Sequence, residues 1–183
     1  PLLDHIASFG KPIIISTGMN NINSIKKAIK ILKRRKVQYA VLHTTNLYPT
    51  KHNEVRLNAL IELKKIFPNT VIGLSDHTGD NYTSYAAIAM GASIIEKHFI
   101  DNSSRKGPDI SASVNTKQMI ELIKGIDLIK KAIPGGIQPI LREKKTANFA
   151  FASVVANKDL EKGTILNMNN IWVRRPGNGD FRA

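Results

Sequence analysis

The sequence contains no cysteine. This absence excludes a disulfide framework and any metal site built on thiolates, so His, Asp and Glu remain as the side chains that can bind a metal. Long apolar runs are also lacking: none reaches the roughly 18 residues of a membrane-spanning helix, and the chain does not open with a basic and then apolar signal segment. We therefore expect a cytoplasmic protein with no membrane partner.

Acidic residues are scarce relative to basic ones, with 14 Asp and Glu against 27 Lys and Arg and a formal charge of +13. Such a surplus is typical of nucleic-acid-binding modules, which stay open as an alternative function. Most of the cations, however, are spread along predicted helices, and the one tight cluster is the run KRRK at residues 33–36. A solvated helix face explains this distribution better than an anionic partner does, so we expect no nucleic-acid partner.

Four apolar, strand-like runs alternate with segments of helical periodicity. The short connections predict parallel strands joined by βα crossovers, which form either half of a closed barrel or a doubly wound sheet. Asn23 or Ser24 is the candidate cap of the first complete helix. Strands are predicted over residues 11–17, 39–45, 70–76 and 93–99. One helix is predicted to end at residue 10 and another to begin after the cap, and three more are predicted over residues 57–67, 83–90 and 116–133.

The pattern changes after residue 136, where Pro134 and two glycines end the last helix. Residues 137–148 are interpreted as a linker. Residues 149–183 hold short β-type runs with no matching helix, which indicates the beginning of a second, small domain. The predicted domains are therefore 1–136, 137–148 and 149–183.

Two histidines follow β-branched runs at the ends of neighbouring predicted strands, His77 in GLSDHT and His98 in IIEKHF. Alternate strand residues share a face, so Ser75 lies with His77 and Glu96 with His98. Both imidazoles should converge at the carboxyl ends of the strands, where α/β barrels carry their chemistry. Taken singly, either histidine could be a hydrogen-bonded core residue. The remaining histidines are expected to be structural or at the surface: His43, His5 and His52.

Two neutral imidazoles without a thiolate suit Mn²⁺, Zn²⁺, Ni²⁺ or Co²⁺. Because two protein ligands leave several coordination positions open, the pair indicates a catalytic metal rather than a structural one.

Seven strings occur in the order ISTGMN, HTTNLYP, GLSDHT, IIEKHF, GPDIS, FAFASVVA and RRPGNGDF. Together they resemble the N-acetylneuraminate (sialic acid) synthase family through essentially the whole chain. The resemblance implies an α/β fold, with residues 1–136 as the second half of a (β/α)₈ TIM barrel and residues 149–183 as the beginning of an antifreeze-like (SAF) domain. The first barrel half would lie outside this sequence, so we expect this polypeptide alone to be inactive and poorly folded.

The resemblance also implies an activity, the condensation of phosphoenolpyruvate with N-acetylmannosamine or a related N-acetylated amino sugar, with release of phosphate. Legionaminate or pseudaminate synthesis is the alternative within the family, and HTTNLYP looks more like the neuraminate and legionaminate branch. His77 and His98 would hold the divalent metal, Mn²⁺ foremost with Mg²⁺ or Co²⁺ as alternatives. Asp109 would complete the catalytic set.

Family substrate contacts match further positions of this sequence. Phosphoenolpyruvate would be bound by Ser16, Asn46 and Ser75, and the sugar by Tyr48, Asp109, Phe149 and Arg175. The arginine reaches the site from the partner subunit in this family, which implies a domain-swapped homodimer. Loop capping is the alternative role for the three phosphoenolpyruvate contacts, a turn for Asp109, and a surface cation for Arg175, whose neighbour Arg174 is a second candidate.

Overall fold

The computed structural model of the protein describes residues 1–102 and 104–183. The chain divides into two compact units, residues 1–134 and 135–183. Within the described ranges, no helix combines the length and apolarity needed to cross a membrane. The first unit contains helices α1 (Leu2–Ser8), α2 (Ile22–Arg34), α3 (Asn58–Ile66), α4 (Tyr82–Ala89) and α5 (Thr116–Ala132), and strands β1 (Ile13–Ser16), β2 (Tyr39–Thr44), β3 (Val71–Asp76), β4 (Ile94–Lys97), β5 (Phe99–Ile100) and β6 (Val114–Asn115).

Strands β1 to β4 form a parallel sheet in the order β1-β2-β3-β4, and a helix connects each strand to the next. This confirms the four predicted strands and their crossovers. The fourth strand is shorter than predicted, because β4 ends at Lys97 and His98 lies between β4 and β5. The His98 carbonyl accepts a hydrogen bond from the Val114 N–H at 2.9 Å, at the start of the small β5–β6 pair. His98 is therefore positioned by the junction of two sheets rather than by one strand.

The two faces of the four-stranded sheet carry different residues, as strand alternation requires. One face packs on the helices and forms the main apolar core, in which Val41, Ile72 and Leu74 meet residues of α2 and α3. The opposite face is set by the strand register, which pairs Ser16 with Leu42 and Leu42 with Gly73. The side chains at the carboxyl ends of this second face are the ones predicted to bind substrate.

Gly73 lies where the second face is most crowded. A Cβ atom at this position would lie 2.5 Å from Cδ2 of Leu42 and would also overlap the Ile94 carbonyl oxygen. Only glycine fits between these neighbours, so it permits strands β2, β3 and β4 to keep their register.

Polar side chains cap the amino-terminal ends of α2 and α5. The Asn21 side chain accepts a hydrogen bond from the Ser24 N–H at 3.1 Å, so Asn21 caps α2 and the prediction of Asn23 or Ser24 is wrong. Ser24 instead supplies the third amide of the helix, the usual partner of a cap. Asn115 and Gln118 form a reciprocal capping box at the start of α5, in agreement with the predicted start at residue 116.

The second unit contains helix α6 (Lys144–Ala150) and an antiparallel hairpin of β7 (Ser153–Ala156) and β8 (Ile171–Arg174). Part of the segment interpreted as a linker is therefore ordered, with a 3₁₀ turn over Leu141–Glu143 that leads into α6. The Glu143 carboxylate accepts a hydrogen bond from the Ile140 N–H at 2.8 Å and starts this helical stretch. Seven residues are too few to give a clear helical period in the sequence, which explains why the pattern did not indicate α6.

Candidate active site

His77 and His98 lie side by side at the carboxyl ends of β3 and β4. Their ring centroids are 5.2 Å apart, with an angle of 73° between the ring planes. The register explains this closeness, because Asp76 pairs with Lys97 as the last step of the β3–β4 ladder and each histidine is the next residue along its chain. The structure thus brings together the two imidazoles that the strand pattern places at one edge of the sheet.

Hydrogen bonding fixes the tautomer of His77. Its Nδ1 lies 2.9 Å from the Thr45 carbonyl oxygen, which can only accept, so Nδ1 carries the proton. Nε2 then keeps its lone pair and lies 3.4 Å from Ser75 Oγ. Metal-binding histidines are commonly oriented in this way, with one ring nitrogen donating to a backbone carbonyl and the other free to coordinate. His77 is buried at 6% exposure, so this orientation is well constrained.

Tyr48 completes a group of three rings. Its ring stacks on His77 with centroids 4.2 Å apart, and it meets His98 edge to face at 5.5 Å. The ring comes from the loop after β2, which Thr50 ties to the end of β3 by donating its N–H to the His77 carbonyl oxygen at 3.0 Å. Tyr48 is 45% exposed, so its remaining surface can contact a ligand.

Asp109 approaches the same edge from the chain segment before β6. Its Oδ2 lies 3.9 Å from Nδ1 of His98, and its side chain is half exposed. His98, Asp109, Arg105 and Ser113 line a cleft of about 500 Å³ together with neighbouring residues of the same segment. An open cleft with a carboxylate and an imidazole on its wall can bind hydroxyl groups and transfer a proton.

Ser75 and Glu96 form a contact that the sequence did not indicate. The Ser75 hydroxyl donates to Oε2 of Glu96 at 2.5 Å, across the β3–β4 pair in which these two residues are partners. A serine has one proton to donate, so in this conformation Ser75 cannot also donate to an anionic ligand. In the sequence, strand alternation places Glu96 on the same face as His98. This alternation was the signal by which Glu96 could have been included in the site.

The other predicted phosphoenolpyruvate contacts lie at different levels of the sheet. Ser16 ends β1 and pairs with Leu42, whereas Ser75 pairs with Thr44, so Ser16 lies two positions nearer the amino-terminal edge. Asn46 is exposed in the loop after β2, and its Nδ2 lies 3.7 Å from where a Cβ on Gly18 would be. Asn46 therefore neighbours the loop that follows Ser16.

Phe149 and Arg175 belong to the second unit. Phe149 lies in α6 with its ring 70% exposed, and Arg175 follows β8 directly. Their assignment to the sugar site stays a prediction.

Behind the two histidines lies a buried ion pair that sequence analysis did not include. Lys97 Nζ lies 3.1 Å from Oδ2 of Asp76, and the two side chains are 1% and 0% exposed. Burial raises the pKa of Asp76, but the Lys97 ammonium and the hydrogen bonds from Ser84, Thr78 and Thr83 outweigh it, so this pKa lies below its ordinary value. Burial also lowers the pKa of Lys97, although Asp76 opposes the change. The signal in the sequence that could have revealed this ion pair is that an Asp and a Lys directly precede the two histidines.

The remaining histidines lie away from this group, as predicted. His43 is buried and its Nε2 lies 2.7 Å from the Val55 carbonyl oxygen. Burial lowers the pKa of His43, which suits a neutral, structural imidazole. His5 is exposed, and His52 is exposed with its Nε2 2.8 Å from Asp80.

A metal bound here would have two protein ligands. Within residues 1–102 and 104–183, no group of three or more His, Asp or Glu side chains is arranged to hold an ion. The lone pair on Nε2 of His77, the adjacent imidazole and the lack of thiolates fit a site with most positions open to water or substrate.

A profile of the NeuB family matches residues 1–138. The chain belongs to the NeuB family. This confirms the family that the seven sequence strings indicated.

Curated relatives match nearly the whole chain. The N,N'-diacetyllegionaminic acid synthase of Campylobacter jejuni is 40% identical over 183 residues, 98% of this chain and 54% of that protein. Human N-acetylneuraminate-9-phosphate synthase is 32% identical over 175 residues, with coverages of 95% and 49%. Helicobacter pylori pseudaminic acid synthase is 35% identical over 182 residues, with coverages of 97% and 53%. The chain thus spans about half the length of the curated relatives it matches.

Two solved structures share the fold. The sialic acid synthetase of Leptospira borgpetersenii, crystallised with citrate, superposes with a TM-score of 0.73 at 30% identity, over 79% of this chain and 51% of that one. The spore coat polysaccharide biosynthesis protein spsE of Bacillus subtilis gives a TM-score of 0.69 at 28% identity, over 97% and 54%. The first unit is accordingly an α/β fold with a curled, parallel half-barrel sheet.

Proposed function

We propose that the protein is a nonulosonic acid synthase that condenses phosphoenolpyruvate with N-acetylmannosamine or a related N-acetylated amino sugar. The observation that carries this proposal is the pair His77 and His98, grouped with the Tyr48 ring at the carboxyl edge of the sheet in a NeuB-family chain. In the reaction, C3 of phosphoenolpyruvate forms a bond to the sugar aldehyde carbon, water adds at C2, and phosphate leaves with cleavage of its C–O bond. Legionaminate or pseudaminate synthesis is the alternative within the same family.

His77 and His98 are the residues that would hold a divalent metal, with Mn²⁺ first and Mg²⁺ or Co²⁺ as alternatives. When bound, such an ion acts as a Lewis acid toward a carbonyl oxygen. The hydrogen bond from His77 Nδ1 to the Thr45 carbonyl keeps Nε2 available for this role. Two donors from adjacent strand ends leave the other positions to substrate oxygens and water.

The sugar would lie in the cleft beside His98. Tyr48 offers a flat, half-exposed ring, and Asp109 offers a carboxylate that can orient hydroxyls or accept a proton. Asp109 is exposed at 52% of its side chain, so a ligand can reach it without rearrangement of the segment.

Phosphoenolpyruvate would be bound by Ser16, Asn46 and Ser75 at the ends of three adjacent strands. Parallel strands present hydroxyl and amide donors at one edge, which suits an anion. Ser75 must turn its proton away from Glu96 to donate to the ligand, and the exposed Glu96 carboxylate can then be solvated by water.

We further propose that residues 1–136 are the second half of a (β/α)₈ barrel and that residues 149–183 begin an antifreeze-like domain after a 137–148 connection. In a homodimer, Arg175 of one subunit would then reach the sugar bound to its partner. The exposed side chain of Phe149 in α6 is also available for such a contact.

The surplus of basic residues is compatible with the proposed synthase activity and does not require a nucleic-acid partner. Arg34 and Arg35, the centre of the one tight basic cluster, both contact the Asp4 carboxylate, at 2.6 and 2.5 Å. The cluster is thus partly neutralised within the protein.

The test is to incubate the full-length protein with Mn²⁺, phosphoenolpyruvate and N-acetylmannosamine or its diacetamido analogue, and to measure phosphate and nonulosonic acid together. We expect equal amounts of both products, dependent on the amino sugar and abolished by a chelator. Phosphate release that is independent of the sugar, or a lack of any product, would reject the proposal.

A further inference from the structure

Each of the two site histidines directly follows one member of a buried ion pair. Asp76 precedes His77 and Lys97 precedes His98, and the two charged residues are partners in the β3–β4 register. Because successive strand residues point to opposite faces, the ion pair lies on the helix side of the sheet while the imidazoles lie on the ligand side. A shift of the ion pair would therefore move both imidazoles.

The Asp76 carboxylate connects β3 to the segment that follows His77. Oδ1 accepts hydrogen bonds from the Thr78 N–H at 2.9 Å and from the Thr78 hydroxyl at 2.8 Å. Oδ2 accepts from the Thr83 hydroxyl at 2.7 Å and from the Ser84 hydroxyl at 2.6 Å, both at the start of α4. His77 is thus held between two residues that are bonded to each other.

Lys97 adds the link to the second histidine. Its Nζ contacts Asp76 Oδ2 and also donates to the Thr78 carbonyl oxygen at 2.8 Å. The ammonium therefore bonds the residues on both sides of His77, while its own backbone leads directly into His98. This one side chain connects the two strand ends that carry the imidazoles.

Stability alone is a weak reason for this arrangement. Taking two charges out of water is costly, and replacing a buried ion pair by apolar residues of similar volume is often neutral or stabilising. A role in geometry is better founded, because each charge is saturated by bonds to the residues that flank the site.

We propose that Asp76 and Lys97 are positioning residues that set the spacing and orientation of His77 and His98 for metal binding. This inference rests on the proposed function. In other metal sites, loss of a group that hydrogen-bonds to a metal ligand typically weakens metal binding by 10- to 100-fold. Asp76 and Lys97 would instead orient the two imidazoles through the backbone, and we expect an effect of similar size.

The deciding variant is Lys97→Met, because positioning and simple electrostatics predict opposite results. Removal of a positive charge near a cation site should tighten Mn²⁺ binding if only charge matters. If Lys97 positions the histidines, Mn²⁺ should bind at least about 10-fold more weakly. The matched control is Lys51→Met, which removes an exposed lysine from the loop that carries Tyr48. It should leave the Mn²⁺ dissociation constant unchanged or lower it slightly.

A second readout needs no metal. In the full-length protein without added ions, long-range ¹H–¹⁵N spectra of the imidazoles should show displaced or broadened His77 and His98 signals in Lys97→Met. The His43 signals should stay in place, because His43 lies on β2 with its own backbone partner. The double variant Asp76→Asn/Lys97→Met leaves the net charge unchanged, so it should show the same displacement if Lys97→Met alone unfolds the protein.

Unchanged imidazole signals in a folded variant, or a Mn²⁺ dissociation constant that stays the same or falls, would overturn the positioning role. Failure of the unmodified protein to bind Mn²⁺ would reject the metal part of the proposed function instead, and the metal-free spectra would still decide the role of Lys97.

Discussion

The Ser75 hydroxyl donates to Glu96 at 2.5 Å, and this bond places a neutral donor and a carboxylate together at the edge where phosphoenolpyruvate is proposed to bind. Glu96 is exposed, so loss of the serine leaves its carboxylate to water and should cost little stability.

Ser75→Ala should therefore act mainly on phosphoenolpyruvate affinity. A hydrogen bond to a charged group contributes roughly 1.5 to 3 kcal/mol, so the KM for phosphoenolpyruvate should rise about 10-fold or more. The KM for the amino sugar should stay nearly the same. Steady-state kinetics with each substrate varied in turn measures both constants, with Ser93→Ala, an exposed serine before β4, as the matched control. If Ser75→Ala impaired only the KM for the sugar, the phosphoenolpyruvate and sugar halves of the site would have to be exchanged. Asp109→Ala should instead raise the KM for the sugar or lower turnover.

His77→Ala and His98→Ala should each reduce synthesis to background while the fold stays intact. One imidazole cannot hold a divalent ion alone in a site with two protein ligands. Activity with Mn²⁺, together with Mn²⁺ titration of each purified variant, tests this expectation. His52→Ala is the control, because His52 is exposed and pairs with Asp80 outside the ring cluster. Turnover that persists in either variant and resists a chelator would reject the assignment.

Subunit complementation tests the proposed role of Arg175. His77→Ala and Arg175→Ala should each be inactive alone, because the first removes a metal ligand and the second a sugar contact from the partner. In a swapped homodimer, one of the two sites in a mixed dimer is intact. Co-expression should thus restore about a quarter of the activity if subunits pair at random. Arg174→Ala in place of Arg175→Ala serves as the control and should be active by itself. Co-expressed variants that stay inactive would argue against the swap.

Gly73→Ala should destabilise the first unit. The added methyl overlaps Leu42 and the Ile94 carbonyl oxygen, and overpacking of this kind typically costs about 1 to 3 kcal/mol in the free energy of unfolding. Gly136→Ala is the matched control, because nothing lies within 4 Å of its added methyl. Urea titration of both variants compares the midpoints. Equal urea midpoints for Gly73→Ala and Gly136→Ala would show that the sheet accepts the added methyl without loss of stability.

His43 should make stability depend on pH. Burial lowers its pKa below the ordinary value of 6.5, so the unfolded chain binds more protons than the folded one just below that pH. Neutral, buried His43 makes its full contribution to the free energy of unfolding above pH 6.5, and this contribution is lost as the pH falls toward the lowered pKa. Urea titrations between about pH 5 and 7 measure how far the free energy of unfolding falls as the pH is lowered. The fall should be smaller for His43→Gln than for the unmodified protein. Identical decreases would contradict the buried, neutral state.

Strand patterns predicted the four-stranded parallel sheet of the first unit. Continuous β-branched runs such as Ile13–Ser16 indicate strands, and the short crossovers between them require parallel pairing. The position of His77 and His98 at one edge follows from those two facts.

Contacts that depend on register were not predictable in this way. The bond from Ser75 to Glu96 and the pairing of Asp76 with Lys97 require a particular alignment of β3 with β4. A sequence shows that these residues alternate along their strands, but it does not show which residue of the next strand lies opposite. The cap Asn21 was missed for a related reason, since the run Asn-Ile-Asn-Ser offers three polar caps and only the backbone turn selects one.

The alternation along β3 and β4 also limits how this site can change over evolutionary time. A single-residue insertion or deletion within either strand would turn every following side chain to the other face. In β3 it would send the His77 imidazole toward the helices and Asp76 toward the ligand. A point substitution changes one side chain on one face, but a length change in these two strands exchanges both faces at once, so variation in length should be confined to the loops beyond the two histidines.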